Sequence, residues 1–484
     1  MNETGILAFG AYIPRRRLQR AAVHAANTWF APGLAGLARG ERAIANWDED
    51  SITMAVEAAR DCLTGFDRAG VEGLTLASTT LPFADRLNAG AVKEALNLSD
   101  DIAASDATGS LRAGTSALIQ ALDSGRTRLV AAADLRKARA ASEAELTYGD
   151  AAAAVLVGQG EPIARVLHTY SGTVDFVDHF RQSDQPYDYG WEARWIRDEG
   201  YTKLLGGAIA AALGGAGLNG DAIRHAAIPV TAKGVAEGLA KKAGIGADAV
   251  LDPLGATVGD SGAAHPLLLL CAALERARPG ERILVAGFGQ GTDVLLLEAT
   301  DTLPRLVSRK GVRGHLADRQ QDSNYMRFLF HRGVLDMERG MRAEMDQKQP
   351  GTTLYRNRKA VLGLVGGRDV KTGTVQFPKS EIGVNPNDRS TGRQEDHPLA
   401  ESRARIVTYT ADRLTYSPDP PTYYGTIDFD GGGRMVAEFA EVTAEDVEVG
   451  AEMRMVFRIK AKDESRHFTK YFWKAVPVRG ERNA

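Results

Sequence analysis

DATGSLRAGTSAL, residues 106–118, reads as a tight turn that opens directly into a helix. Thr108, Gly109 and Ser110 are turn and cap formers, and from Ala113 small and apolar residues continue as a helix over 113–123. Immediately outward lies TRLVAAA (127–133), short and apolar enough for a buried strand. Beyond the Gly149-Asp150 turn comes a second such run, AAAAVLV (151–157). Strands of this kind interleaved with helices are those of an α/β protein, with helices packed on sheets. At the head of the helix stands Leu111. A helix N-terminus offers unpaired N–H groups and a favourable dipole to an anion, but leucine has no lone pair with which to use them.

The same grammar extends in both directions. Towards the N-terminus the sequence predicts a strand over 5–11, an amphipathic helix over 51–63 and a strand over 73–79. Towards the C-terminus it predicts a strand over 226–229, helices over 233–243 and 265–277, and strands over 282–287 and 293–298. Strand, helix and paired strands thus occur twice in one order, which points to an internal duplication. From Asp301 the composition becomes charged and helix-forming. In SNYMRFLFHRGVLDMERGMRAEM (323–345), Tyr325, Phe328, Leu329 and His331 fall near helical spacing, while Gly333 and Gly340 divide the run into two short helices. A polar loop is expected over 381–401. After it RMVAEF (434–439) and MRMVFRIK (453–460) alternate with period two, and the turn over 428–433 signals a hairpin, which suits a small β-barrel.

The 484 residues exceed one ordinary core and imply two to three domains. A hydrophobic fraction of 44%, a charged fraction of 25% and a formal net charge of −3 describe a water-soluble surface without a broad electrostatic footprint for nucleic acid or anionic membrane. Cys62 and Cys271 both lie in apolar helix-like runs and read as buried thiols. The opening MNETGILAFGAYIP enters a strand without the basic and apolar regions of a secretory leader, and no apolar run reaches the ~20 residues of a membrane span. The expected location is cytoplasmic.

GILAFGAYIP (5–14), the 106–118 turn, AADLRKARAASEAELTYGDAAAAVLVG (132–158), VDHFRQ (177–182) and ARPGERILVAGFGQGTD (277–293) occur in one order. Together they resemble the thiolase superfamily, in particular 3-hydroxy-3-methylglutaryl-CoA synthase and β-ketoacyl-acyl-carrier-protein synthase III. The resemblance covers about residues 1–300. It implies an α/β, duplicated five-layer thiolase-like fold, with helices sandwiching two central sheets. YMRFLFHRGVLDMERGMRAEM (325–345) and VLGLVGGRDVKTGTVQFPKSEIGVNPND (361–388) resemble the zinc-ribbon and OB-fold domain that accompanies many thiolase-like acyl-CoA enzymes. The expected domains are 1–300 thiolase-like, 301–360 helical arm, 361–400 degenerate ribbon and 401–484 OB-fold.

In the resembled condensing enzymes a cysteine nucleophile works with a histidine and with an asparagine or second histidine that polarises the thioester. Those positions read Leu111, Pro229 and Asp260, and the synthases' glutamate falls near Leu81. Gly287, Gly289 and Gly291 match the family's oxyanion-lining loop. Among remaining polar residues, Asp260 is a candidate base if burial raises its pKa, or else a cap for the helix starting near Ser261. His265 is a candidate acid/base or a satisfied helix histidine. Tyr148 is a candidate proton donor to an enolate or a structural tyrosine. Ser110 and Thr108 read as caps without an adjacent base, Asp106 as a buttress of the turn, and His225 and Arg112 as weaker candidates.

The four cysteine positions of the ribbon read Asp369, Thr372, Gly383 and Asp388, which cannot close a tetrahedral zinc site, so no metal is expected. The OB-fold aromatics Tyr423, Tyr424, Phe457, Phe468, Tyr471, Phe472 and Trp473 could stack bases but read as barrel filling. The resemblance therefore implies an acyl-CoA protein that forms or cleaves carbon–carbon bonds by retro-aldol or C-acyl chemistry, through a stabilised enolate without a cysteine. The alternative is a non-catalytic synthase-like subunit scaffolding a separate active thiolase. No cofactor is expected beyond coenzyme A as part of the substrate. A homodimer is expected, with a thiolase as the further partner and neither nucleic acid nor membrane.

Overall fold

Nine strands form the central sheet: Glu3–Tyr12 (β1), Gly73–Ala77 (β2), Ala103–Ala107 (β3), Arg128–Asp134 (β4), Ala151–Gly160 (β5), Ala164–Thr173 (β6), Ile223–Ala227 (β7), Arg282–Phe288 (β8) and Gly291–Ala299 (β9). Their order is β7-β8-β9-β6-β1-β5-β4-β2-β3. The computed structural model describes residues 3–344, 351–388 and 390–479. It divides into two compact units. The first comprises Met1–Asn46, Asp50–Val92 and Ser99–Leu335, and the second Trp47–Glu49, Lys93–Leu98 and Asp336–Ala484.

The expected duplication is explicit in the pairing. In the first half β1 is antiparallel to β5 and β5 to β4, while β4, β2 and β3 run parallel. In the second half β6 is antiparallel to β9 and β9 to β8, β8 is parallel to β7, and a parallel bridge from Ala226 to Val250 takes the place of a fifth strand. The helices repeat in step: Ser51–Cys62 (α1), Asn88–Ala95 (α2) and Ala113–Asp123 (α3), then Gly206–Gly215 (α4), Val235–Lys242 (α5) and His265–Leu274 (α6). Parallel strands need such crossovers to return the chain to the same end of the sheet. The half-sheets are not separate. β1 and β6 join them through a short antiparallel register, Gly5 with Arg165 and Ile6 with Ala164.

All ten residues of α6 are buried, so the helix is apolar all round and lies inside the unit. It shares a core with α3 through Leu118, Leu122, Leu267 and Leu270. Each fully buried leucine side chain contributes about 1.5–3 kcal/mol, and these residues hold the two helix N-termini in fixed places beside the sheet. The stretch after Asp301 does not begin a separate arm: Tyr325–His331 is helical, and Tyr325, Phe328 and Leu329 pack with Leu18, Val23, Leu34 and Leu146 in the first unit. Of the two short helices expected there, the second is only the single turn Met341–Ala343. Arm residues 345–350 lie outside the described residues.

The second unit carries two small sheets. Val365–Asp369 pairs with Val375–Gln376 on one side and Gln394–Pro398 on the other. The last strand corrects the expectation of a loop over 381–401: QEDHP has no apolar face, and backbone pairing alone makes it a strand. Where the ribbon resemblance expects cysteines, Asp369 accepts hydrogen bonds from the N–H groups of Lys371 (2.9 Å) and Thr372 (2.8 Å) and from Ser390 Oγ (2.7 Å). The knuckle is thus closed by one carboxylate. No group of three or more metal-ligating side chains is found among the described residues.

Five strands form the other sheet, in the order Arg434–Glu438, Thr422–Phe429, Ala404–Asp412, Glu452–Asp463, Phe468–Pro477. A bridge between Phe439 and Ala475 brings its two edges together. Phe457, Tyr471 and Trp473 are buried within it, with Phe457 stacked on Tyr471 at 5.5 Å. The Trp473 indole donates to the Leu362 carbonyl at 2.7 Å, satisfying a buried N–H. No helix among the described residues is long and apolar enough to cross a membrane.

Candidate functional site

The C-terminal ends of β2, β4 and β8 meet the heads of α3 and α6. Leu111 is half-buried just before α3. Ser110 Oγ donates to the Gly289 carbonyl at 2.7 Å and accepts the Arg112 N–H at 3.2 Å. Arg112 spans to the other half of the sheet: its Nε donates to Gly289 O (3.1 Å), and its terminal nitrogens reach Asp293 Oδ1 (3.0 Å) and Thr173 Oγ1 (2.8 Å). Asp293 is wholly buried and also accepts from Thr115, Ser116 and Ser171. A buried carboxylate is tolerated only when paired and hydrogen-bonded in this way. The Leu111 N–H has no acceptor among the described residues.

The three glycines serve close approach more than oxyanion binding. A Cβ at Gly289 would lie 2.6 Å from Ser110 Oγ and 3.0 Å from the Leu111 nitrogen, so only glycine lets this loop touch the turn. Gly287 and Gly291 are similarly pressed on Thr115 and on the Gly172 carbonyl. The Gly289 N–H is already given to the Gly291 carbonyl at 3.0 Å. That N–H is therefore committed within the loop.

Arg136, singled out by nothing in the sequence, is the centre of the polar cluster. It is buried at the end of β4, pairs with Asp260 Oδ2 at 2.8 Å, donates to the Asp260 carbonyl at 3.0 Å and lies 3.8 Å above the Tyr148 ring. Tyr148 and Asp260 are on neighbouring loops joined by a parallel bridge. The Tyr148 hydroxyl donates to Asp188 at 3.0 Å, and Asp188 is held in turn by Arg181 at 2.5 Å, which also donates to the Thr79 carbonyl. Wholly buried Asp134 accepts from Ser78 Oγ, from Thr79 N–H and Oγ, from Thr80 Oγ and from the Ala263 N–H, tying the end of β2 to the entry of α6.

The charges that result do not match a general base at Asp260. Burial acts to raise its pKa, but Arg136 and the nearby His265 outweigh it and hold the carboxyl at about 2. Asp260 also accepts the Gly262 N–H at 2.9 Å, the capping role weighed against the base. His265 is buried, which depresses its pKa against the raising effect of Asp260. Its Nδ1 accepts from the Ser261 N–H at 3.3 Å, leaving the ring neutral. Burial pushes the Tyr148 phenol up against the opposing Arg136 charge, so it stays protonated.

The other expected residues are dispersed. Asp106 accepts from Asn88 and Ala89 and caps α2. His225 pairs with Glu281 at 2.8 Å. Pro229 follows β7 between buried Ile228 and Val230 and carries no polar side chain. Thr108 is exposed. The chain's two cysteines are elsewhere: Cys62 on α1 and Cys271 on α6 are buried, the first with its thiol pushed up to about 12 by burial.

Comparison with known proteins accords with this anatomy. Residues 397–458 match the C-terminal OB-fold domain of ChsH2. The chain is 28% identical over 360 residues to hydroxymethylglutaryl-CoA synthase of Caldivirga maquilingensis, covering 69% of this chain and 99% of that protein. It is 29% identical to the Methanosarcina barkeri enzyme of the same name, covering 68% and 98%. Among solved structures, an HMG-CoA synthase complexed with CoA superposes with a TM-score of 0.59 at 17% identity, over 72% of this chain and 95% of that one. The 3-oxoacyl-[acyl-carrier-protein] synthase III of Aquifex aeolicus gives 0.54 at 21% identity, over 61% and 99%. The first unit therefore has a thiolase-type, HMG-CoA-synthase-like fold, and the second carries a ChsH2-type OB domain.

Proposed function

We propose that the protein binds an acyl-CoA in the synthase-like site and makes or breaks a carbon–carbon bond without an acyl-cysteine intermediate. The observation that carries this reading is Leu111 at the head of α3, with its N–H unpaired and both thiols buried elsewhere. In the cleavage direction a base takes the proton of a β-hydroxyl, whose oxygen becomes a carbonyl as the Cα–Cβ bond breaks. The released electron pair forms the thioester enolate, which is then protonated at Cα. To test it, the protein is incubated with 3-hydroxyacyl-CoAs, and the shortened acyl-CoA and carbonyl product are followed while quenched protein is assayed for bound acyl groups. Turnover with unacylated protein is expected; a stoichiometric acyl-enzyme refutes the mechanism.

A second reading is favoured by the electrostatics at Asp260, whose carboxyl is held at about 2, and at His265, whose imidazole pKa burial lowers from its ordinary value. In it the chain, as a cytoplasmic homodimer, is a non-catalytic partner of a separate thiolase and contributes binding surface. Stoichiometric co-purification with a thiolase, and full activity of that complex with Asp260→Ala, support this reading. Cleavage by the isolated chain excludes it.

A further inference from the structure

Between β6 and α4 the chain runs as one helix from Ala193, but Ile196–Leu205 is wound as a π-helix of ten residues. Such windings are rare and recur at functional positions. Here the winding brings the backbone down onto an aromatic floor. A Cβ at Gly200 would lie 2.8 Å from the Phe176 ring and 2.9 Å from the Phe288 ring, so no side chain fits. Phe176 is itself stacked on Trp195 at 4.2 Å. The next residue, Tyr201, packs edge-on to Phe288 at 5.0 Å. Phe288 ends β8 and precedes Gly289, the residue pressed against Ser110 and Leu111.

Tyr201 differs from Tyr148 in one respect that matters. The Tyr148 hydroxyl is committed to Asp188, whereas the Tyr201 hydroxyl makes no hydrogen bond to any described residue. It senses the charges of Asp260, Asp178 and Arg136 and the Tyr148 phenol; burial first, then the two carboxylates, push it up, so it is a proton-bearing donor at neutral pH. We infer that Tyr201 is a catalytic residue whose hydroxyl donates a hydrogen bond to the thioester or enolate oxygen of the bound acyl group, alongside the Leu111 N–H. This rests on the acyl-CoA reading above and gives its oxyanion site a side-chain donor.

The test uses the full chain, CoA and [1-¹³C]acetyl-CoA as probes, and Tyr201→Phe, which keeps the ring. Isotope-edited infrared spectroscopy of the bound thioester is expected to show its carbonyl stretch moved to lower frequency in the wild type and returned to the solution value in Tyr201→Phe. Acetyl-CoA affinity is expected to fall roughly three- to tenfold with CoA affinity unchanged. A carbonyl shift that persists in Tyr201→Phe, or one absent from wild type that binds acetyl-CoA, overturns the role of Tyr201. Failure of wild type to bind either probe overturns the acyl-CoA reading itself. An unchanged melting temperature shows that Tyr201→Phe is folded.

Discussion

Arg136 and Asp260 stand 124 residues apart in the chain and 2.8 Å apart in the fold, and their ion pair links the end of β4 to the loop that opens α6. The guanidinium faces the Tyr148 ring on one side and Asp188 at 4.0 Å on another, so one cation organises two carboxylates and a phenol. Removing it leaves buried acid groups uncompensated. Arg136→Met is expected to destabilise the first unit by about 3–5 kcal/mol, read as the shift in urea midpoint. A loss below about 1 kcal/mol, the ordinary range for an exposed pair, would show the cluster to be solvated.

Protonating Asp260 weakens the same link. Its carboxyl falls from an ordinary 3.8 to about 2 on folding, because Arg136 and His265 overcome burial. A depressed folded pKa stabilises the protein above the unfolded value, and that stabilisation is lost as pH drops through the folded value. The window is therefore pH 4 down to 2, worth roughly 2 kcal/mol. Asp260→Asn should lie below wild type in stability at pH 7, with the gap closing as pH approaches 2. A gap independent of pH would place the Asp260 contribution in its cap to Gly262 instead.

What could be read in advance follows from the range of the forces involved. α3 was expected over 113–123 and is Ala113–Asp123, because small and apolar residues in helical period bury one face locally. β6 went unanticipated: ARVLHTYSGT mixes half-buried polar and apolar residues and becomes a strand only by pairing with β9. The ten-residue π-winding spans too few turns for its period to show in the sequence. The positions of Leu111 and Asp260 were legible as turns, but their partners were not. Arg136 is one arginine among many until the fold brings it to Asp260, and Asp293 shows its role only through four donors on α3, the turn before it and β6.

Asp293 offers the sharper test of how the two halves of the sheet are registered. It is wholly buried on β9 and paired with Arg112 on the turn before α3. Asp293→Ala strips the acceptor from Arg112, Thr115, Ser116 and Ser171 together, and a cost of about 3–5 kcal/mol is expected in chemical denaturation. Arg112→Ala should be comparably harmful, and the double variant less so than the sum, since either single change leaves a charge unpaired. Additive losses would mean that the two groups act independently.

The thiols permit a direct probe of the helix head. Cys62 and Cys271 are buried, and burial raises both thiols, Cys62 to about 12. Native wild type should therefore resist iodoacetamide at pH 7 and react only as it unfolds. Leu111→Cys places a half-exposed sulfur where the first-turn N–H groups and helix dipole converge, conditions that favour a thiolate. Because Arg112 is committed to Asp293, the shift should come from backbone donors and remain modest, about one unit below the free-thiol value of roughly 8.5. The variant is expected to take up one equivalent of iodoacetamide, with an alkylation midpoint near pH 7.5. A midpoint at or above that of free cysteine would show that the head of α3 does not stabilise an anion, and with it would fall the oxyanion role assigned to the Leu111 N–H.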